Sequence, residues 1–248
     1  MPQPQTSRAT GDRRRLRLAT YNIHKCRGMD GRTRPERILE VLESLDADVI
    51  ALQEVVGSGP EEDGQAALFG ARLGMGWVMQ TTRLLRGKAY GNVILSRLPM
   101  RADDTCDLSF GGREARGCQR VDLDVGGRDF HVFNVHLGTG VRERFRQAPK
   151  LAEFVADASV TGPKVLLGDF NEWVQGLTTR TLSQMLEGVD LSAFLKSRRT
   201  YPGMLPMLHL DHIYLSGGVT VDHVELPRTR LTLVASDHLP LVAEVRLP

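Results

Sequence analysis

Residues 164–171, KVLLGDFN, decide the fold. An unbroken apolar run closed by a glycine, an aspartate and an asparagine reads as a buried strand running into a loop. From Arg15 onward the chain alternates strand and helix signals around it, with no long linker and no internal repeat. Upstream, RLRLATYNI at 15–23 is strand-like and ADVIALQEV at 47–55 is a short buried strand. GWVMQTT at 76–82 and YGNVILS at 90–96 look antiparallel, as do RVDLDV and RDFHVFNVHL, joined by a Gly126–Gly127 hairpin turn. Downstream, LDHIYL, VTVDHVEL and HLPLVAEVRL read as strands again. Between them, Thr33 and Glu36 form a capping box around Pro35, and Ile38, Val41, Leu42 and Leu45 then share one helical face. Phe145, Leu151, Phe154, Val155 and Ala158 suit a second amphipathic helix; Leu182, Met185 and Leu186 mark a short third. Two packed sheets with helices outside account for this order, as one α/β domain over 15–248.

The chain has 248 residues, 41% of them hydrophobic and 25% charged, which excludes a disordered or fibrous protein. No apolar run reaches the roughly 20 residues of a membrane helix. Net charge is +2, so no global polyanion-binding surface is encoded. Only five of the 32 basic residues are lysine, a skew that more often reflects genome composition than phosphate chemistry. Cys26, Cys106 and Cys118 lack CxxC spacing and read as reduced thiols of a cytoplasmic protein. Residues 1–14 are polar, without the apolar segment of a signal peptide, and read as a disordered tail.

The strand ends carry the chemistry. Asn22 closes one strand, Glu54 another and His136 a third. Asp169 and Asn171 follow the fourth, Asp211 opens LDHIYL, and Asp237 with His238 opens the last. Singly, each is a turn former, a cap or a core polar group. Together, carboxylate, amide and imidazole groups recurring at strand ends point to one crevice. Hard oxygen ligands suit Mg²⁺, with Mn²⁺ as a substitute, rather than zinc. HExxH, a Cys cluster, GxSxG, a P-loop and GxGxxG are all absent. A metal site flanked by two histidines and an aspartate able to position water is equipment for phosphate ester hydrolysis.

TYNIHKCRG, DVIALQEV, YGNVILSRLP, FNVHLG, LLGDFNEW, LDHIYLS and SDHLPLVAEV resemble the signature blocks of the endonuclease/exonuclease/phosphatase superfamily. They occur in family order over residues 15–247. The resemblance implies a four-layer α/β sandwich and Mg²⁺-dependent cleavage of a phosphodiester or phosphomonoester. It implies Glu54 as principal metal ligand, with Asn22 and Asp237 beside the metal. Asp169 then orients or deprotonates the attacking water, and Asn171 holds a phosphate oxygen. His238, paired with Asp211, hydrogen-bonds the scissile phosphate, and His136 is a second phosphate contact or proton donor. An aspartate on His238 would raise its pKa and favour the imidazolium.

YNIHKC followed by DGRT is similar to a compact bacterial branch of metal-dependent hydrolases, itself similar to the catalytic part of proteins linked to glycolipid-anchor processing. His24 belongs to that pattern and either faces the site or caps the first strand. Arg116, in GGREARG, resembles a branch residue that reaches phosphate, with a solvated loop arginine as the alternative. Glu143, Arg144 and Gln147 recur in the branch without an assigned role.

Substrate class is open between phospholipid, nucleic acid and a small phosphoester. The basic loops Arg83/Arg86/Lys88, Arg142/Arg144/Arg146 and Arg198/Arg199 are local patches, and aromatics make up only 6% of the chain. Trp173, after GDFNE, is placed to stack on a base, touch a lipid or pack at the rim. Any membrane contact would be peripheral. A catalytically dead fold that binds a phosphorylated partner or lipid is the non-enzymatic alternative.

Overall fold

Alternating burial along the strands builds two sheets, each apolar on both faces. The computed structural model describes residues 14–59 and 64–248; apart from Arg14, the tail expected over 1–14 lies outside the described residues. The first sheet holds β1 (Arg15–Asn22), β2 (Val49–Val56), β3 (Gly76–Leu85), β4 (Lys88–Ser96), β11 (Thr220–Glu225) and β12 (Leu241–Arg246). Its order is β11-β12-β1-β2-β4-β3, with β1 and β2 parallel. The second sheet holds β5 (Met100–Asp107), β6 (Gly117–Val125), β7 (Arg128–His136), β8 (Lys164–Asp169), β9 (Glu187–Gly188) and β10 (Asp211–Ser216). Its order is β5-β6-β7-β8-β10-β9, with β7 and β8 parallel.

Successive side chains of a strand point to opposite faces, and three apolar layers follow from that rule. Leu18, Val49, Val132 and Leu167 meet between the sheets. Ala19, Tyr21, Ile50 and Leu52, one residue out of phase, pack instead against Ile38, Leu42 and Phe69 of α1 (Pro35–Leu45) and α2 (Gln65–Leu73). Phe133, Val135 and Leu166 pack against Leu151, Val155 and Leu182 of α3 (Val141–Val155) and α4 (Leu177–Leu182). The result is helix, sheet, sheet, helix: the four-layer sandwich the motifs imply. Gly126 and Gly127 make the expected hairpin turn, both at positive φ, where glycine carries no Cβ penalty.

Several local expectations fail for identifiable reasons. The Thr33/Glu36 capping box does not form: the N-cap is Arg34, without a side-chain cap bond, because Thr33 is drawn into a β-bridge with Arg27. α3 ends at Val155, so Ala158 lies beyond it, and Phe145 is exposed. The buried face of that helix begins instead with the polar residues Glu143, Arg144 and Gln147. Met185 is likewise exposed, and Leu186 follows the end of α4. Neither α2 nor β5 was expected. β5 is an edge strand with charged residues on both faces, a pattern that discourages further pairing and hides the strand.

Toward one end, the space between the sheets turns polar. Gln53 donates to Thr20 Oγ1 (3.0 Å) and to Asn134 Oδ1 (2.7 Å). Asn134 donates to the carbonyls of Leu52 (2.9 Å) and Val93 (3.0 Å), stitching the second sheet to two strands of the first. Buried polar groups are tolerated when so partnered. The parallel strands β1, β2, β7 and β8 all finish at this end.

Candidate active site

The strand ends converge on Asp169. At the end of β8 its carboxylate is 1% exposed and accepts from Asn22 Nδ2 at 3.0 Å, bridging the two sheets. His136 Nε2 lies 3.4 Å from the same oxygen, Asp169 Oδ2, and His238 Nε2 lies 3.5 Å from it. The register is responsible: His136 and Asp211 flank Asp169 directly, on the parallel β7 and the antiparallel β10. Gly168 allows that spacing. Its φ is +148°, and a Cβ there would stand 2.0 Å from the Val135 carbonyl oxygen.

The two histidines are in opposite states. Burial alone would discharge His238, but Asp211, whose Oδ2 lies 2.9 Å from Nδ1, and Asp169 outweigh it and hold its pKa up to about 10. His136 is pushed down to about 4, first by burial and then by the Arg116 guanidinium. Arg116 Nη1 sits 3.3 Å from His136 Nδ1 and, having only hydrogens to offer, makes that nitrogen the acceptor. The remaining proton of His136 is therefore on Nε2, facing Asp169 and the cleft. Arg116 is itself buried, paired with Glu114 at 3.0 Å, and lines a small recess shared with Glu54 and His136.

Glu54 occupies a β-bulge. Pairing of β2 with β4 shifts register between Leu52 and Val55, and Glu54 adopts φ +59°, so its side chain turns to the site while Gln53 enters the inter-sheet space. Non-glycine residues in that region cost of order 1–3 kcal/mol and gather at functional sites. Asn171 is a second such residue, at φ +50°. Its backbone N–H donates to Asp169 Oδ1 and its amide to the Leu137 carbonyl, both at 2.9 Å. His24, Lys25 and Cys26 form a third, consecutive run at positive φ. His24 faces the site: Nδ1 is 3.6 Å from Asp237 Oδ2, and its backbone N–H donates to Asn22 Oδ1 at 3.0 Å.

Two oxygen-bearing sets are candidates for a cation. Asp169, Asp211 and His238 lie within 4.8 Å of one another. A protonated His238 between two carboxylates has no lone pair to give, so this set fits a hydrogen-bonded triad better than a metal. Glu54 and Asp237 offer carboxylate oxygens. Asn22 offers the second lone pair of its Oδ1, which accepts from the His24 N–H while its Nδ2 faces Glu54 (3.5 Å) and Asp169. Glu54 is ionised, its pKa held down to about 2 although burial opposes this, because His136, Lys25 and His24 surround it. The Lys25 ammonium hydrogen-bonds Glu54 Oε2, so the carboxylate already draws a positive charge to itself. This second set fits a Mg²⁺-type ion.

The residues read from the strand ends are thus linked in one cluster: Asn22, His136, Asn171, Asp211 and His238 around Asp169, Glu54 through Asn22, and Asp237 through His24. Sequence reasoning missed Lys25, and the supporting amides Gln53 and Asn134; the period-2 spacing of Asn134 and His136 was the available signal. Glu143, Arg144 and Gln147 now have a place. Arg144 donates to the carbonyls of Gly138 (2.9 Å) and Thr139 (2.7 Å), and Gln147 accepts from Gly138 N–H (2.9 Å), bracing the loop behind His136. Trp173 is half exposed beside the cleft, with the Arg144 guanidinium 5.9 Å from its ring centre.

The model of the Endonuclease/Exonuclease/phosphatase family matches residues 19–238. Protein YbhP of Escherichia coli (strain K12) is 29% identical over 248 residues, covering 94% of this chain and 96% of YbhP. An endonuclease/exonuclease/phosphatase from Beutenbergia cavernae DSM 12333 superposes with a TM-score of 0.74 at 25% identity, over 94% of this chain and 72% of its own. A mannosyl-6-phosphatase of Bacteroides thetaiotaomicron VPI-5482 shares the fold, with TM-score 0.74 and 17% identity, over 93% of this chain and 99% of its own. No helix among the described residues is long and apolar enough to cross a membrane.

Proposed function

The chain belongs to the endonuclease/exonuclease/phosphatase family, and from that premise we propose that it is a Mg²⁺-dependent phosphoesterase acting on a phosphodiester. The observation that carries the reading is one carboxylate, Asp169, set between a charged and a neutral histidine whose Nε2 atoms both point at it. Glu54, with Asn22 and Asp237, would hold the metal. When bound, that ion neutralises phosphate charge and polarises the ester for attack.

The residues divide the remaining work. Asp169 orients the attacking water and draws on its proton. Water oxygen bonds to phosphorus while its proton passes to Asp169, the opposite P–O bond breaks, and the departing alkoxide takes a proton from solvent, to which Asp169 returns its own. His238 donates a charged hydrogen bond to a phosphoryl oxygen, and Asp211 keeps it protonated. His136 donates a neutral one from Nε2, the tautomer that Arg116 imposes. Arg116 thereby acts both through His136 and by its own charge near the phosphate. Asn171 and His24 line the phosphate position. Preorganised donors of this kind are each worth about 10²–10³-fold in rate.

The test is turnover of bis-p-nitrophenyl phosphate and p-nitrophenyl phosphate with Mg²⁺, Mn²⁺ or EDTA. Metal-dependent diester hydrolysis that Asp169→Asn abolishes supports the reading; hydrolysis of the monoester alone moves the substrate class to small phosphorylated metabolites. Silence on both, with Mg²⁺ still bound, favours a phosphate-binding scaffold.

A further inference from the structure

The chain next to the site carries exposed apolar side chains. They sit on two loops. One carries Trp173 and Val174, immediately beyond Asn171. The other carries Met204, Leu205 and Met207, and is anchored by Gly203 N–H on the Asp237 carbonyl (2.7 Å) and by Tyr201, 5.1 Å from the His238 ring. Leu205 is 69% exposed, Val174 66% and Met204 61%. Single exposed apolar residues are ordinary; five on two loops beside one site are a surface for something apolar.

A groove of about 570 Å³ is shared by Trp173 and Met207, one from each loop, with Lys196, Arg198 and Arg199. No carboxylate lines it. Exposed aliphatic side chains bordered by cations match an anionic lipid interface, where acyl chains meet phosphates. Nucleic acid matches less well: Val174, Met204, Leu205 and Met207 have no ring to stack on bases, and three cations on one rim do not make a path along a phosphate backbone.

We propose that this rim docks on an anionic phospholipid bilayer. Trp173, Val174, Met204, Leu205 and Met207 enter the interface, Lys196, Arg198 and Arg199 take headgroup phosphates, and the diester presented to Asp169 is a lipid's. The proposal rests on the phosphoesterase reading for its substrate, but the docking is measurable without catalysis.

The chain has two tryptophans, so Trp77→Phe leaves Trp173 as the sole emitter. The full chain in EDTA is titrated with phosphatidylglycerol/phosphatidylcholine vesicles and with phosphatidylcholine alone, following Trp173 emission and flotation. Blue-shifted emission and binding to the anionic vesicles are expected. Met204→Ser with Leu205→Ser should weaken binding about tenfold or more, and Arg198→Ala and Arg199→Ala about fivefold each. Equal partition onto neutral vesicles, binding indifferent to these substitutions, or a Trp173 response to single-stranded oligonucleotide but not to vesicles overturns the proposal. Bis-p-nitrophenyl phosphate turnover of the same protein is read separately with Mg²⁺ in place of EDTA. Vesicle binding without turnover refutes the enzymatic reading and leaves the docking; turnover without vesicle binding does the reverse.

Discussion

Asn134 joins the sheets directly beneath the catalytic strand ends, and its removal gives a calculable result. The side chain is fully buried and makes three hydrogen bonds, two to carbonyls of β2 and β4 and one from Gln53. Asn134→Leu keeps the volume but leaves both carbonyls without their side-chain donor and Gln53 without its nearest acceptor. An unsatisfied buried polar group costs about 1–3 kcal/mol, and Gln53 keeps Thr20 and the Ala51 carbonyl as acceptors, so the two carbonyls give about 4 kcal/mol. For a chain of this size that lowers Tm by roughly 10 °C. Because Gln53 precedes Glu54 and Asn134 lies two residues before His136, turnover should fall alongside stability. Urea unfolding of wild type, Asn134→Leu, Gln53→Ala and the double variant measures both the cost and the coupling. A loss under about 1 kcal/mol for Asn134→Leu, or coupling near zero, would refute the claim that these amides hold the sheets in register.

Gly168→Ala places a Cβ against the Val135 carbonyl at a φ that alanine avoids. It should destabilise by more than about 3 kcal/mol or misplace Asp169, visible as reduced solubility or lost turnover; unchanged stability and rate would contradict the close approach of β8 to β7. His209 is driven down to about 3 by burial, then by His212 and Arg198, so it stays neutral in the folded protein while the unfolded chain protonates near 6.5. Its contribution is therefore complete above pH 6.5 and lost as pH falls from there toward 3, by at most about 1.4 kcal/mol per unit. His209→Gln should flatten that slope in chemical denaturation at pH 7 and pH 5; an unaltered slope would exclude His209 as its source. Asp211→Asn should slow turnover by about 10²-fold or more while leaving far-UV circular dichroism intact, and a wild-type rate would remove the His238 pairing from the mechanism.

What the sequence disclosed follows the physics of each signal. Strand ends were legible because a buried run that closes on Asp169 or His136 breaks an apolar pattern abruptly. The four layers were legible because period-2 burial in β1, β2 and β7 sends alternate residues to different cores. β5 was hidden by the charges that protect an edge, and the buried face of α3 by the polar residues it uses to brace a loop. Thr33 carried a valid capping pattern, but a tertiary bridge to Arg27 outweighed it. Arg116 on His136 and Lys25 on Glu54 are contacts across 20 and 29 residues of sequence, and no local periodicity announces them. His136 is kept neutral by burial and by Arg116, whereas His238 is kept charged by Asp211 and Asp169. The motifs already paired His238 with Asp211 and favoured its imidazolium; what they did not disclose is the neutral state of His136.

The central claim is that Asp169, between its two histidines, drives metal-dependent hydrolysis of a phosphodiester. Initial rates on bis-p-nitrophenyl phosphate for wild type and Asp169→Asn, each with Mg²⁺ and with EDTA, test it most directly. The account predicts turnover only for wild type with Mg²⁺, with the variant down by at least about 10²–10⁴-fold and still folded. Equal rates in the two proteins, or turnover undiminished by EDTA, would contradict it.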